Sequence, residues 1–192
     1  MHITPRTALR RRSTTSIRAA LAALCALAAP LAPTLAADAP AAAPATTVYI
    51  VRHAEKADSS RDPQLSPAGQ ARANTLAHVL TDAGLDAIFV TDTHRSRQTA
   101  APTAAATGLS PWQYDGGDSA ALAARIASDH AGQQVLVVGH SNTLDDIAAA
   151  FGIAGLADLE ESQFDRLYVV RADGTGGHGG ELLRLRFGDV TP

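Results

Sequence analysis

Four residues in three separate segments have the types needed to bind and transfer a phosphoryl group. Each comes at or shortly after the end of a short apolar run: Arg52, His53, Arg95 and His140. Two guanidinium groups match phosphate oxygens in geometry and in charge. An imidazole between two cations is pushed toward its neutral, nucleophilic form, and a second imidazole can donate to an oxygen of the trigonal-bipyramidal phosphorus. The set predicts phosphoryl transfer onto a histidine, with no metal and no other cofactor.

The apolar runs alternate with helical segments along most of the chain. Strands are predicted at 47–51, 87–90, 112–114 and 135–138, followed by a hairpin at 167–170 and 182–187. Helices are predicted to start at Ser66–Pro67, Arg95, Asp118 or Ser119, and Asn142, and to end at Gly84, Gly108, His130 and Phe151. This alternation predicts a three-layer α/β/α sandwich with a mainly parallel central sheet. The four residues then meet at the carboxyl edge of that sheet, where open α/β folds bind ligands.

Each candidate also has a simpler structural explanation when it is taken alone. Arg52 and His53 fit an exposed loop pair, and a solvated helix face accommodates Arg95 and Arg97. The turn 139–142 leads from a strand into a helix, and its free backbone N–H groups suit an anion, which makes Asn142 a candidate phosphate contact. The convergence of two histidines and two arginines on one sheet edge favours the functional interpretation.

Four blocks, in order, resemble the histidine phosphatase superfamily, the phosphoglycerate mutase-like proteins. Residues 51–55 (VRHAE) resemble its Arg-His-Gly-Glu signature, and residues 65–71 (LSPAGQA) resemble the helix start that follows it. Residues 91–100 (TDTHRSRQTA) and 137–143 (VVGHSNT) are similar to its arginine block and its second-histidine turn. The resemblance runs from about residue 48 to about residue 170 and implies a phosphoglycerate mutase-like fold.

The resemblance also implies roles for the candidates. His53 becomes the nucleophile that carries a phosphohistidine, while Arg52, Arg95 and His140 hold the phosphoryl group. Arg95 is favoured over Arg97 because it stands three residues before the Gln-Thr-Ala of its block, where the family places its arginine. Two positions depart from the family pattern: Ala54 replaces the usual Gly, and Ser96 replaces Ala.

The general acid for the leaving group stays open between several carboxylates. Family members usually supply a Glu or Asp after the third strand, where this chain has Asp115 and Asp118, and Glu55 is a further candidate. A carboxyl group beside a bound phosphate has its pKa raised, as an acid catalyst requires. Asp118 also fits a helix N-cap, and Asp115 also fits a turn.

The first 37 residues have the composition of an export signal. Five arginines and no acidic residue precede residue 38, an Ala/Leu-rich run occupies 19–29, and small residues follow. We predict a signal peptide at 1–37, an Ala/Pro linker at 38–45, a domain at 46–192, and a periplasmic or secreted protein without a membrane span after cleavage. A lipoprotein linked through Cys25 and export by a twin-arginine route through Arg11 and Arg12 are alternatives.

The net charge of −3 is the sum of a basic N-terminal segment and an acidic remainder. Removing the five N-terminal arginines leaves 11 basic and 19 acidic residues, so residues 38–192 sum to −8. This acidic balance argues against nucleic acid as a partner. The predicted substrate is a small phosphorylated molecule: a sugar, glycolipid or nucleotide phosphate.

These features predict a metal-independent phosphatase that hydrolyses a phosphomonoester through His53. The alternatives are a non-catalytic phosphate- or phosphoglycan-binding protein of the same fold and a phosphoglycerate mutase-type phosphotransferase. Loops 57–64 and 152–161 are predicted to form walls of the pocket. Glu160 and Glu161 are interpreted as a solvated face, and His178 as part of a Gly-rich loop that is not a phosphate cradle.

Overall fold

The computed structural model describes residues 45–172 and 180–192. The predicted signal peptide, nearly all of the linker, and His178 lie outside the described residues. No helix among the described residues is long and apolar enough to cross a membrane.

Six strands form one sheet, in the order β3-β2-β4-β1-β5-β6. Their bounds are β1 (Thr46–Arg52), β2 (Ala87–Thr91), β3 (Trp112–Tyr114), β4 (Gln134–Gly139), β5 (Arg166–Ala172) and β6 (Glu181–Arg186). The first four strands pair in parallel, while β5 and β6 add an antiparallel pair beside β1. The predicted strands and the mainly parallel sheet are confirmed.

Four helices cover the two faces of this sheet. They are α1 (Pro67–Val79), α2 (His94–Thr107), α3 (Ser119–Asp129) and α4 (Leu144–Ala150). Leu76 of α1 and Ala100 of α2 belong to a core on one face, and Ile126 of α3 and Ile147 of α4 belong to the core on the other. The three-layer α/β/α sandwich is therefore confirmed.

Side-chain caps start the two helices that flank the predicted site. Ser66 caps α1 by accepting from the N–H of Gly69, with Pro67 in the first turn, and Thr93 caps α2 by accepting from the N–H of Ser96. α2 ends at Thr107, and its C-cap Gly108 has a φ of 73°, in the left-handed region that favours glycine. These caps fix where each helix begins relative to the strand before it.

Two helices are shorter than predicted. α1 ends at Val79, with Leu80 as its C-cap, instead of continuing to Gly84. α4 covers 144–150 because His140 and Thr143 form a turn before it, closed by the N–H of Thr143 on the carbonyl of His140. The polar residues of 140–143 are thereby left at the sheet edge rather than inside a helix.

The start of α1 packs directly on the chain that follows His53. The N–H of Ser66 donates to the carbonyl oxygen of Glu55 at 2.9 Å. A Cβ atom added to Gly69 would overlap that same carbonyl oxygen, so only glycine permits this approach. Gly69 therefore sets the distance between α1 and the segment that carries His53.

We expect Gly69→Ala to destabilise the protein by about 1–3 kcal/mol, because the added methyl group must push α1 away from Glu55. Urea unfolding measures this loss. Gln70→Ala, at the exposed neighbouring position, is the control and should unfold like the wild type. Equal stability of the Gly69→Ala variant and the control would contradict the close approach.

Candidate active site

Strand register brings the predicted residues to one sheet edge. Arg52, the last residue of β1, pairs with Gly139, the last residue of β4, so His53 and His140 emerge side by side. The N–H of His53 donates to the carbonyl of Gly139 at 3.0 Å and continues this pairing. The two imidazole centroids are 5.3 Å apart, in an edge-on arrangement.

His53 is buried and held in one tautomer. Its Nδ1 lies 2.8 Å from the carbonyl oxygen of Ala54. Because a carbonyl oxygen can only accept, Nδ1 carries the proton and the lone pair resides on Nε2. The N–H of Ala54 in turn donates to Thr99 Oγ1 at 2.9 Å, which ties this turn to α2. The substitution of Gly by Ala at position 54 leaves the required carbonyl in place.

His140 is connected to the strand on its other side. Its Nε2 lies 2.9 Å from Thr91 Oγ1, and Thr91 donates to Ser96 Oγ at 2.8 Å. The Thr91 oxygen therefore accepts from His140, whose Nε2 carries the proton. No described residue binds Nδ1 of His140. The serine at position 96, where the family has alanine, takes part in this chain of hydrogen bonds.

Arg52 is 1% exposed and is held by the loop before β5. Its Nη1 donates to the carbonyl oxygens of Glu160, Glu161 and Gln163 at 2.9–3.1 Å, and its Nη2 donates to Glu161 Oε2 at 3.0 Å. Its guanidinium carbon lies 4.1 Å from the centre of the Phe164 ring. Its Nε is buried and has no hydrogen-bond partner among the described residues.

Arg95, the second residue of α2, is placed by the loop 57–64. Its Nη1 lies 3.5 Å from Asp62 Oδ1, which also accepts from the N–H of His94 at 2.9 Å. Its Nε, like that of Arg52, is buried without a partner among the described residues. A buried N–H that is left unpaired is costly, so these two groups are candidate hydrogen-bond donors to a bound anion.

A cavity of about 440 Å³ opens over this edge. It is lined by residues from both predicted walls and from the three strand ends: Arg52, His53, Lys56, Ser60, Arg61, Pro63, Arg95, Gly116, Gly117, His140, Ser141, Asn142, Thr143 and Glu161. The cationic side chains outnumber the single carboxylate. No group of three His, Cys, Asp or Glu side chains suited to a metal ion occurs in 45–172 or 180–192.

The three carboxylates predicted as candidate general acids lie outside the cavity lining. Glu55 Oε1 accepts from Arg72 Nε at 2.9 Å and from Arg72 Nη2 at 2.7 Å. Asp118 caps α3 by accepting from the N–H of Ala121 at 2.9 Å, and Asp115 accepts from the N–H of Gly117. The segment after β3 thus reaches the cavity through the backbone of Gly116 and Gly117.

Glu161 is a site residue that the sequence analysis missed. Its side chain is 74% exposed, as expected for a solvated face, yet it binds Arg52, Lys56 and Ser141. It lies between α4 and β5 in an irregular loop, where neither helical nor strand periodicity indicates the direction of a side chain. Asn142 lines the cavity, as its predicted phosphate contact requires.

Burial keeps both imidazoles neutral over a wide pH range. Desolvation lowers the pKa of His53 to about 3, with Arg52 and Arg95 contributing, although the hydrogen bond to Ala54 opposes the shift. Desolvation, Arg95 and Arg52 together lower the pKa of His140 to about 4. The Nε2 of His53 is therefore available as a nucleophile near neutral pH.

The stability of the fold should decrease as the pH falls below about 6.5. In the unfolded chain both histidines have a pKa of about 6.5 and bind a proton below it, whereas in the folded protein they stay neutral. The free energy of unfolding therefore decreases as the pH falls from about 6.5 to about 4. Between pH 7 and pH 5 each imidazole accounts for about 2 kcal/mol. Urea unfolding at both pH values measures this effect. Between pH 7 and pH 5, the His140→Asn variant should lose less free energy of unfolding than the wild type, by that amount. The control His78→Asn, at an exposed position, should lose as much as the wild type.

The sheet order and the cluster of two histidines and two arginines at its edge define an α/β protein with a candidate phosphate-binding site at the carboxyl edge of its sheet. The model of the histidine phosphatase superfamily (branch 1) matches residues 48–117, which include Arg52, His53 and Arg95. Residues 48–117 are therefore similar to this superfamily. No curated protein sequence matches the chain.

Solved structures with the same fold include several phosphatases. The protein histidine phosphatase SixA, complexed with tungstate, is 21% identical, with a TM-score of 0.59, and the match covers 73% of this chain and 96% of that one. A mycobacterial glucosyl-3-phosphoglycerate phosphatase is 15% identical, with a TM-score of 0.60 and coverage of 72% and 97%. Bacillus stearothermophilus YhfR is 20% identical, with a TM-score of 0.56 and coverage of 76% and 98%.

Proposed function

We propose that the protein hydrolyses phosphomonoesters through a phosphohistidine on Nε2 of His53. One observation carries the proposal: the Nδ1 hydrogen bond to Ala54 leaves the Nε2 lone pair free, in a site with two buried arginine Nε–H groups that have no partner among the described residues. This arrangement combines a nucleophile with donors for the oxygens of the group it attacks.

The reaction has two steps, and its atoms balance. In the first, the Nε2 lone pair of His53 attacks phosphorus, the bond to the ester oxygen breaks, and that oxygen takes the electron pair and a proton from a general acid in the site. In the second, water gives a proton to the conjugate base of that acid and attacks the phosphohistidine, the P–N bond breaks, and inorganic phosphate leaves with His53 neutral again. Arg52 and Arg95 bind the non-bridging oxygens in both steps.

His140 changes its charge when a phosphate binds. In the free site its Nε2–H is directed to Thr91, and its low pKa leaves Nδ1 without a proton. A phosphate dianion beside the ring reverses the effect of the arginines and raises that pKa, because an opposite charge favours the imidazolium form. His140 then donates from Nδ1 to a phosphate oxygen while it still donates from Nε2 to Thr91.

The remaining observations support a small phosphorylated substrate and export of the protein. The cavity is open to solvent, so water can reach the phosphohistidine, which favours hydrolysis over transfer to a second substrate. Lys56 and Arg61 add positive charge at the cavity wall for an anionic substrate. The N-terminal sequence supports export to the periplasm or the medium.

The experiment is a panel of phosphorylated sugars, nucleotides, lipids and aryl phosphates, assayed in the presence of EDTA. Turnover of at least one class, unaffected by the chelator, is the expected result. Saturable binding of inorganic phosphate without turnover of any substrate would support the phosphate-binding alternative instead. Transfer of phosphate to a second sugar phosphate in preference to water would support the phosphotransferase alternative.

A further inference from the structure

Glu161 links three parts of the site rim. Its Oε2 accepts from Arg52 Nη2 at 3.0 Å and lies 3.4 Å from Lys56 Nζ, while its Oε1 accepts from Ser141 Oγ at 3.2 Å. The loop is anchored beside it, because the N–H of Leu159 donates to the carbonyl of Ser141 at 3.0 Å. The carboxylate is thus held at the mouth of the cavity rather than behind the nucleophile.

The other carboxylates near the site are occupied elsewhere. Glu55 is bound to Arg72, and Asp62 pairs with Arg95 and accepts from the N–H of His94. Asp115 and Asp118 accept from the backbone N–H groups of Gly117 and Ala121. Among the described residues that line the cavity, Glu161 is the one carboxylate. We propose that Glu161 is the proton donor to the leaving group, an inference that rests on the phosphohistidine mechanism proposed above.

The position of Glu161 fits the geometry of the displacement. His53 lies on the floor of the cavity, with 3% of its surface exposed, whereas the Glu161 side chain is 74% exposed. A leaving oxygen departs in line with the attacking nitrogen and on the far side of phosphorus, which here faces the mouth. A proton donor is needed on that side.

Glu161 can give and regain the same number of protons in each turnover, so no further co-reactant is needed. In the first step the protonated carboxyl group gives its proton to the leaving oxygen as the P–O bond breaks. In the second step the resulting carboxylate takes a proton from the water that attacks the phosphohistidine. Each turnover therefore consumes one water molecule and returns Glu161 to its protonated state.

The bound phosphate supplies the condition for protonation. In the free site Arg52, and to a lesser extent Lys56, lower the pKa of Glu161. A phosphate oxygen on the same guanidinium places a second anion beside the carboxylate, and like charges raise the pKa of such a group. A substrate that arrives as the monoanion also brings the proton that the carboxylate needs.

The test compares substrates with different leaving groups in the Glu161→Gln variant. We expect kcat/KM to fall by at least about 100-fold for an alkyl phosphate such as glycerol phosphate, whose alkoxide needs a proton. For p-nitrophenyl phosphate, whose phenolate leaves without one, the fall should be less than about fivefold. Glu181→Gln is the matched control, because the Glu181 side chain is exposed on β6 and lies outside the cavity lining, and it should behave like the wild type.

Two results would overturn the proposal. A loss of equal size for both substrates would show that Glu161 only positions Arg52, and no loss for either would show that it takes no part. Failure of the phosphatase proposal itself would look different, since the wild type would then turn over neither substrate. A melting curve confirms that each variant is folded before the kinetics are compared.

Discussion

The His53→Ala variant is expected to lose phosphomonoester hydrolysis by about 10⁴-fold or more. Without the imidazole no covalent intermediate forms, and water would have to attack phosphorus directly from the floor of the cavity, on the side opposite Glu161. The neighbouring donors stay in place, because Arg52 is held by the loop 160–163 and Arg95 by Asp62. The variant should therefore still bind inorganic phosphate while it fails to turn over substrate.

Two measurements separate this outcome from general damage. Reaction with a ³²P-labelled substrate, stopped in alkali to preserve phosphohistidine, should label the wild type and leave His53→Ala unlabelled. His78→Ala, an exposed histidine on α1, is the matched control and should keep both label and turnover. Turnover in His53→Ala close to that of the wild type would refute the mechanism.

The architecture could be predicted because local signals and global packing agree. The apolar run 135–138 forms the buried strand β4, and the Ser66–Pro67 start of α1 appears with the predicted cap. The end of α1 could not be predicted from its own sequence. Gly84 looks like a helix stop and has a φ of 63°, yet the helix ends before it, and the apolar Val79 is 47% exposed. Contacts of Leu76 and Leu80 with the sheet decide the buried face instead.

The convergence of the site residues follows from the parallel sheet, whereas their partners do not. Residues that follow β1 and β4 must meet once the two strands pair in parallel, so the proximity of His53 and His140 is a consequence of topology. The carboxylates that hold the cations come from other places: Asp62 from the loop after β1, and Glu161 from a loop 109 residues after Arg52. Such long-range loop contacts leave no periodic trace in the sequence.

The burial of Arg52 shows what the loop before β5 contributes. Three backbone carbonyls and the Glu161 carboxylate surround a guanidinium that has almost no contact with solvent. Burial lowers the pKa of Arg52, and the attraction of Glu161 offsets part of that effect. The protein thus binds both Nη groups and leaves the Nε–H without a hydrogen-bond partner among the described residues. A planar guanidinium with several N–H groups can bind the loop and a further acceptor at the same time.

Arg52→Lys is therefore expected to lower kcat/KM by about 10²–10³-fold although the charge is preserved. An ammonium group cannot bind the carbonyls of residues 160–163 and a phosphate oxygen in the geometry of the fork. Carbonyls left without a donor should also reduce ΔG of unfolding by about 1–3 kcal/mol. Steady-state kinetics, the inhibition constant for inorganic phosphate and urea unfolding measure these effects. Arg97→Lys is the control, because Arg97 pairs with the exposed Asp92 and lies outside the cavity lining. Equal losses of activity in Arg52→Lys and Arg97→Lys would contradict a specific requirement for the guanidinium of Arg52.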